Sequence, residues 1–416
     1  MRRFLFITYA FPPMGGAGVQ RPVKFVKYIG RHGWRPVVVT AANHSGPTRD
    51  ASLSGDLPPD LLIERVKSLE PAVGQATFGG AGGDGATLRS LAGRLANNLL
   101  FPDRHVLWLA TALGPTLAVA RRQRVQAVYV SGPPFSSFFL AEQVARKLNL
   151  PLLLDFRDEW SGYYSKGFQP GAHGLWDRLV SAQERRLVNR AAVVTAASPA
   201  YCRRFRFLYG GFDKYVWIPN GYDPDDFAGQ LPGPLPRQAG RLHIVYAGTV
   251  FGVTSLEPLW RGLRLLPPGM RQHITVEICG RVTGGEVTEP RIPGLRVEAK
   301  GYLPHAQVIE RMMRADALLL TLADLPGSER VIPGKIFEYA AAGRPLLAIC
   351  PPGEAAALVE AIGGTRVAPN KPHAVADVLA AWLNQPPPPR QTPPPEFDRA
   401  RLTMLLAQAL DKAVGR

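Results

Sequence analysis

The chain has 416 residues, of which 46% are hydrophobic and 20% charged, and it carries a net charge of +16. That length admits two or three domains at roughly 150 residues each, and the composition excludes a globally disordered chain. The charge, carried mostly by Arg, draws anions such as phosphorylated ligands, nucleic acid or an acidic membrane face, and says nothing about fold.

The opening "MRRFLFITYAFPPMGG" has too short an apolar run for a signal peptide and no small-residue cleavage site, so residues 4–9 read as a buried strand. Gly15, Gly16 and Gly18 follow and precede a helix over 19–32. Glycines let a backbone approach a ligand closely, and a helix N-terminus favours phosphate. A dinucleotide fingerprint is not met. Arg21 stands where the third glycine belongs, and the second strand, 36–40, ends in Thr40 and Ala41 rather than an acid.

The glycines over 74–85 suggest a mobile surface loop. The longest apolar stretch, 106–120, is interrupted at Gly114-Pro115 and is too short to span a bilayer. Strands are expected at 127–131, 152–156 and 193–196, with a helix over 135–148 that Ser136 and Ser137 would cap. Continuous apolar strands separated by helices predict a parallel sheet covered on both faces. The strand at 152–156 runs into "DFRDEW", where Asp155, Arg157 and Asp158 either bind a polar ligand or pair with one another.

The segment 201–217, "YCRRFRFLYGGFDKYVW", interleaves Arg with aromatics, which suits an anionic interface or the solvated side of a helix. Asp223-Pro224-Asp225 resembles a metal-binding D-x-D, but it follows a tight turn and lacks further ligands at suitable spacing. It reads as a turn and helix cap, with no metal.

Residues 228–240 form a Pro- and Gly-rich linker, after which the pattern restarts: strands at 242–248, 274–280, 317–322 and 345–350, and a helix over 256–266. Two α/β halves predict a cleft served by loops at the carboxyl ends of their strands. Within "ERVIPGKIFEYAAAGRPLLAI", Pro333 suits a helix start, and Lys335 and Glu338 share a helix face. The pair suits a nucleotide, lysine to diphosphate and carboxylate to ribose; the alternative is a surface salt bridge. A Pro-rich strap over 384–397 and a last helix over 399–414 complete the chain. Cys202, Cys279 and Cys350 lie far apart with no C-x-x-C, which supports neither a disulfide framework nor a zinc knuckle and fits a reducing cytoplasm. No helix-turn-helix, RNP or zinc pattern supports nucleic-acid binding.

"ITYAFPPMGGAGVQR", "LDFRDEW", "IPNGYDPDDF", "VYAGT" and "PGKIFEYAAAGRPLLA" occur in order over nearly the whole chain. Together they resemble the retaining, nucleotide-sugar-dependent glycosyltransferases of family four, in the branch of capsule and exopolysaccharide synthesis. The resemblance implies an α/β GT-B fold of two Rossmann-like domains facing a cleft: an acceptor domain over 1–227, joined by a returning helix over 398–416, and a donor domain over 241–385. It implies sugar transfer from a nucleotide-diphosphate sugar to a glycan or lipid-linked acceptor, with no metal or cofactor, at an inner membrane face or in the cytoplasm. An inactive scaffold of the same fold is the alternative.

By that resemblance Glu338 is the second glutamate of the family's E-x7-E motif, which holds the ribose. The first falls at Arg330, with Glu329 adjacent and Pro333 in the same loop. The family's diphosphate clamp after the first strand of the donor domain is replaced by a stretch containing Gly248 and Thr249, so Lys335 and Arg330 would supply the charge. Arg157 stands in place of a frequent histidine, Asp158 would orient the acceptor, and Asp155 would face the cleft.

Overall fold

The structure is a computed structural model that describes residues 1–43, 49–70, 100–164, 174–228, 240–283, 286, 290–385 and 393–415. The glycine-rich stretch 74–85, most of the linker (229–239) and part of the Pro-rich segment (386–392) lie outside the described residues. The chain divides into two compact units. Described residues up to Asn220 make the first, joined by the final helix Arg399–Ala413; Gly221–Asp398 makes the second.

The first unit is built on seven parallel strands: β1 (Arg2–Ile7), β2 (Trp34–Ala41), β3 (Leu62–Val66), β4 (Val128–Gly132), β5 (Leu152–Phe156), β6 (Val193–Ala196) and β7 (Tyr215–Trp217). Their order is β3-β2-β1-β4-β5-β6-β7. Strand period two sends alternate side chains to opposite faces. Leu5, Ile7, Val37, Val39, Val128, Val130, Leu152 and Leu154 line one core. Phe4, Phe6, Val38, Tyr129, Leu153 and Val193 line the other. Because both faces are buried, the inner strands are apolar throughout rather than alternating.

The helix Ala17–Ile29 covers the second face through Val19, Val23, Val26 and Ile29. The final helix completes that core with Leu402, Leu406 and Leu410, and its Asp411 accepts from Trp34 Nε1 at 3.1 Å. On the other face, the helix Leu107–Arg122 runs unbroken through Gly114-Pro115. Trp108, Ala112 and Val119 anchor it in the core on both sides of the proline, and that burial outweighs the lost backbone bond. No helix among the described residues is long and apolar enough to cross a membrane.

The second unit repeats the plan with six parallel strands: β8 (Leu242–Ala247), β9 (Ile274–Cys279), β10 (Arg296–Gly301), β11 (Ala317–Thr321), β12 (Leu346–Ile349) and β13 (Thr365–Val367). Their order is β10-β9-β8-β11-β12-β13. One face is sealed by the helices Glu257–Leu265 and Pro372–Asn384, through Leu259, Trp260, Leu263, Val375 and Leu379. Their contact is close because Gly262 has no side chain: a Cβ there would lie 2.5 Å from Val375 Cγ1.

In each sheet the strand order reverses once, between β1 and β4 and between β8 and β11. Such a switch point opens a crevice at the carboxyl ends of the strands, where doubly wound sheets bind ligands. Gly262→Ala tests the helix contact. It should destabilise the second unit by about 1–3 kcal/mol, read by chemical denaturation, because Val375 and the Pro372 carbonyl leave a methyl no space.

Candidate functional site

At the first switch point the chain leaves β1, turns through buried Gly15, and enters the helix Ala17–Ile29 from Gly16 at φ 102°, a conformation that favours glycine. No side chain among the described residues caps this helix. Arg157, just past β5, ties the loop down. Its guanidinium donates to the carbonyls of Gly18 and Pro133, and its Nε and backbone N–H both donate to the Gly132 carbonyl, at 3.3 and 3.0 Å. A Cβ on Gly18 would sit 3.4 Å from Arg157 Nη1, so that glycine makes room for the guanidinium. Arg157 is therefore a strut joining the loops after β1 and β4.

Asp155 is fully buried, and the choice left open for it resolves to an ion pair. Arg21 binds it through Nε at 3.0 Å and Nη2 at 2.7 Å, while Ser131 and Thr195 each donate at 2.7 Å. Burial alone would raise its pKa, but the charge of Arg21 and these bonds hold the carboxyl below its usual range. Arg21 also donates to the Pro219 carbonyl at 2.7 Å. The acceptor-facing role expected for Asp155 is thus corrected: its oxygens are spent inside the sheet. Asp158 is half-buried, and burial pushes its carboxyl up, offset in part by Arg157.

The capping expected of Ser136 and Ser137 is also corrected. Asp103 accepts the Ser136 amide at 3.0 Å, and both serine hydroxyls are buried without a partner among the described residues. Asp223 does act as a cap, accepting from the Asp225 amide at 3.1 Å at the start of the short helix Pro224–Phe227.

At the second switch point the loop after β8 is tightly fixed. Tyr339 Oη accepts the Ala247 amide at 2.8 Å, Gly248 donates to the Cys279 carbonyl at 2.8 Å, and the Thr249 carbonyl accepts from Tyr246 Oη and Thr254 Oγ1. Gly248 has φ 126°, and a Cβ on Gly280 would lie 1.9 Å from its oxygen, so both positions require glycine. Thr249 itself is exposed.

Lys335 opens the helix Lys335–Ala342 and points into this loop. Its Nζ lies 3.8 Å from the centroid of the Tyr246 ring and would be 3.0 Å from a Cβ on Gly248. The ammonium is buried with no hydrogen-bond partner among the described residues. Burial depresses its pKa from 10.5 to about 7, with the charge of Glu338 opposing the shift. The surface Lys335–Glu338 salt bridge is not formed; Glu338 pairs with His305, whose Nε2 lies 2.9 Å from Oε1. The sequence reading missed His305, a single polar residue opening the helix His305–Arg314 with no motif around it.

Pro333 and Gly334 lead into the helix of Lys335. Glu329 pairs with Arg330, and its other oxygen accepts the Gly327 amide at 2.9 Å. Gly353, at φ 146°, lets the Glu329 backbone pass so close that a Cβ would lie 2.3 Å from its carbonyl oxygen. Glu329 thus shapes the loop that presents Arg330.

Residues 16–221 match the model of the family described as glycosyl transferase 4-like domain. No curated protein matches the sequence. Among solved structures, Alr3699/HepE of Anabaena in complex with UDP-glucose is 15% identical, covers 99% of this chain and 100% of that one, and gives a TM-score of 0.62. Sucrose-phosphate synthase from Thermosynechococcus elongatus is 13% identical over 99% of this chain and 94% of that one, with a TM-score of 0.61. WaaG, a glycosyltransferase involved in lipopolysaccharide biosynthesis, is 16% identical over 99% and 100%, with a TM-score of 0.56. At such identities the likeness is one of fold, the GT-B pairing of two Rossmann-like units.

A buried ammonium with no hydrogen-bond partner among the described residues weakens the fold. Because its folded pKa lies below 10.5, the unfolded chain binds the extra proton between about pH 7 and 10.5. Wild-type stability should therefore rise with pH across that window. Lys335→Met should be more stable than wild type by about 1–4 kcal/mol at pH 6–7, the gain shrinking toward pH 10, as read by urea denaturation.

Proposed function

We propose that this chain, whose residues 16–221 match the model of the glycosyl transferase 4-like domain, moves a sugar from a nucleotide-diphosphate sugar to a glycan or lipid-linked acceptor with retention of configuration. The observation that carries the donor assignment is the buried, unpartnered Lys335 ammonium at the second unit's switch point. Such a charge is costly unless a ligand completes it, and a diphosphate at a helix N-terminus does so. Glu338 takes the ribose hydroxyls from the same helix, and Arg330, Pro333, Gly248 and Thr249 border the donor.

As the glycosidic bond breaks, negative charge grows on the β-phosphate. Lys335 is placed to stabilise that charge, so its interaction is strongest in the transition state. No protein nucleophile enters this scheme. The leaving phosphate accepts the proton of the attacking hydroxyl on the same face of the sugar, which preserves configuration. Gly15, Gly16 and Gly18 offer backbone amides in the first unit, Asp158 orients the acceptor, and Arg157 holds the loops that carry these groups. No metal or cofactor is required in this scheme.

The Anabaena structures hold UDP and UDP-glucose, which makes UDP the first probe. Calorimetry in EDTA should show UDP binding in wild type and a tenfold or greater loss in Lys335→Met, with UMP affected less because it lacks the β-phosphate. Equal UDP affinity in the two proteins would remove Lys335 from the donor site. Release of UDP from UDP-glucose distinguishes an enzyme from a binding scaffold.

The acceptor side is proposed to work at an anionic membrane surface. Phe207 and Phe212 stand 88% and 73% exposed, with Trp217 partly exposed beside them in sequence. Arg206 fixes this segment by donating to the carbonyls of Phe212 and Tyr215, and Asp213 is the one acid between Tyr201 and Trp217. Exposed rings among Arg203, Arg206 and Lys214 match an anionic headgroup layer over acyl chains. In flotation assays the protein should rise with phosphatidylglycerol vesicles and not with phosphatidylcholine, and Phe207→Ser/Phe212→Ser should abolish the difference. Equal flotation of wild type and variant would exclude this face.

A further inference from the structure

We infer that His305 is a positioning residue for Glu338, fixing the carboxylate so that the donor site tells ribose from deoxyribose. This rests on the reading of Glu338 as the ribose acceptor. His305 opens its helix after Pro304 and reaches the helix of Lys335, placing Nε2 2.9 Å from Glu338 Oε1. On its other side Nδ1 faces Asp226 Oδ2 at 3.9 Å, from the short helix Pro224–Phe227. The His305 and Glu338 side chains are only 11% and 18% exposed.

The chemistry of the contact sets its direction. An ionised carboxylate only accepts, so Nε2 carries the proton and donates it. The Asp226 carboxylate faces the other ring nitrogen at 3.9 Å, so the ring lies between two carboxylates. A glutamate side chain has three rotatable bonds, and holding one oxygen removes most of that freedom before a ligand arrives. Hydroxyl recognition depends on such fixed polar groups, because an analogue that lacks the hydroxyl leaves its partner unmatched.

The alternative is a purely structural tie between two helices. It would change stability without changing the preference among bound nucleotides. The test is therefore a ratio: the Kd for 2′-deoxy-UDP over that for UDP, measured by calorimetry on the full chain. Wild type should prefer UDP by about tenfold. His305→Ala and Glu338→Ala should each bring the ratio close to one, and His305→Gln, which keeps a donor, should recover part of it. Thermal denaturation identifies any variant that fails to fold, and in that event His305→Gln carries the test. A ratio kept in His305→Ala, or kept in full by wild type and all variants except Glu338→Ala, overturns the positioning role and leaves the donor site standing. A ratio kept in Glu338→Ala, or absent from wild type, overturns the ribose assignment and this inference with it.

Discussion

Double-sided burial of the two parallel sheets governs everything else in the molecule. A strand covered on both faces admits a polar side chain along its length only where a partner is supplied, as His243 is for Glu277 in β9, because an unpaired polar group there would be desolvated without compensation. Most of the buried polarity is displaced to the strand ends. In the first unit the buried Ser131, Asp155 and Thr195 sit at or near the carboxyl ends of β4, β5 and β6. In the second unit Thr321 and Cys279 hold the corresponding positions on β11 and β9. Chemistry and close backbone approach can be built only there, and the reversal of strand order leaves a crevice to receive them.

Two buried charges in that frame have opposite settings. Asp155 is fully matched by one guanidinium and two hydroxyls, so it stiffens the sheet end and has no capacity left for a ligand. Lys335 has a ring face and a glycine beside it but no acceptor among the described residues. The first arrangement is complete in the folded chain. In the proposed donor site the second would be completed by an entering anion, with stability given up in exchange for binding.

The fold was legible wherever burial was symmetric. The expected strands at 152–156 and 193–196 coincide with β5 and β6, and those at 242–248 and 274–280 overrun β8 and β9 by one residue. The four strands missed, β3, β7, β10 and β13, are the four edges of the two sheets. β10, "RVEAKG", is largely exposed and has no continuous apolar run, so nothing in its composition separates it from a loop. The site was less legible, because its roles depend on partners distant in sequence. Asp155 and Arg21 are 134 residues apart, and Glu338 and His305 are 33 apart, so local spacing gave the residue types but not the pairings.

The first unit takes its last core element from beyond the second unit. Leu402, Leu406 and Leu410 cover a hydrophobic face laid down nearly four hundred residues earlier by Phe4 and Phe6. During synthesis that face waits, incompletely covered, while the whole second unit emerges from the ribosome. The early half must therefore remain in an unfinished state, open to non-native association, until the late helix arrives. Assembly of this chain is thus ordered by a circuit rather than by simple N-to-C progression, and the unit made first is the one finished last.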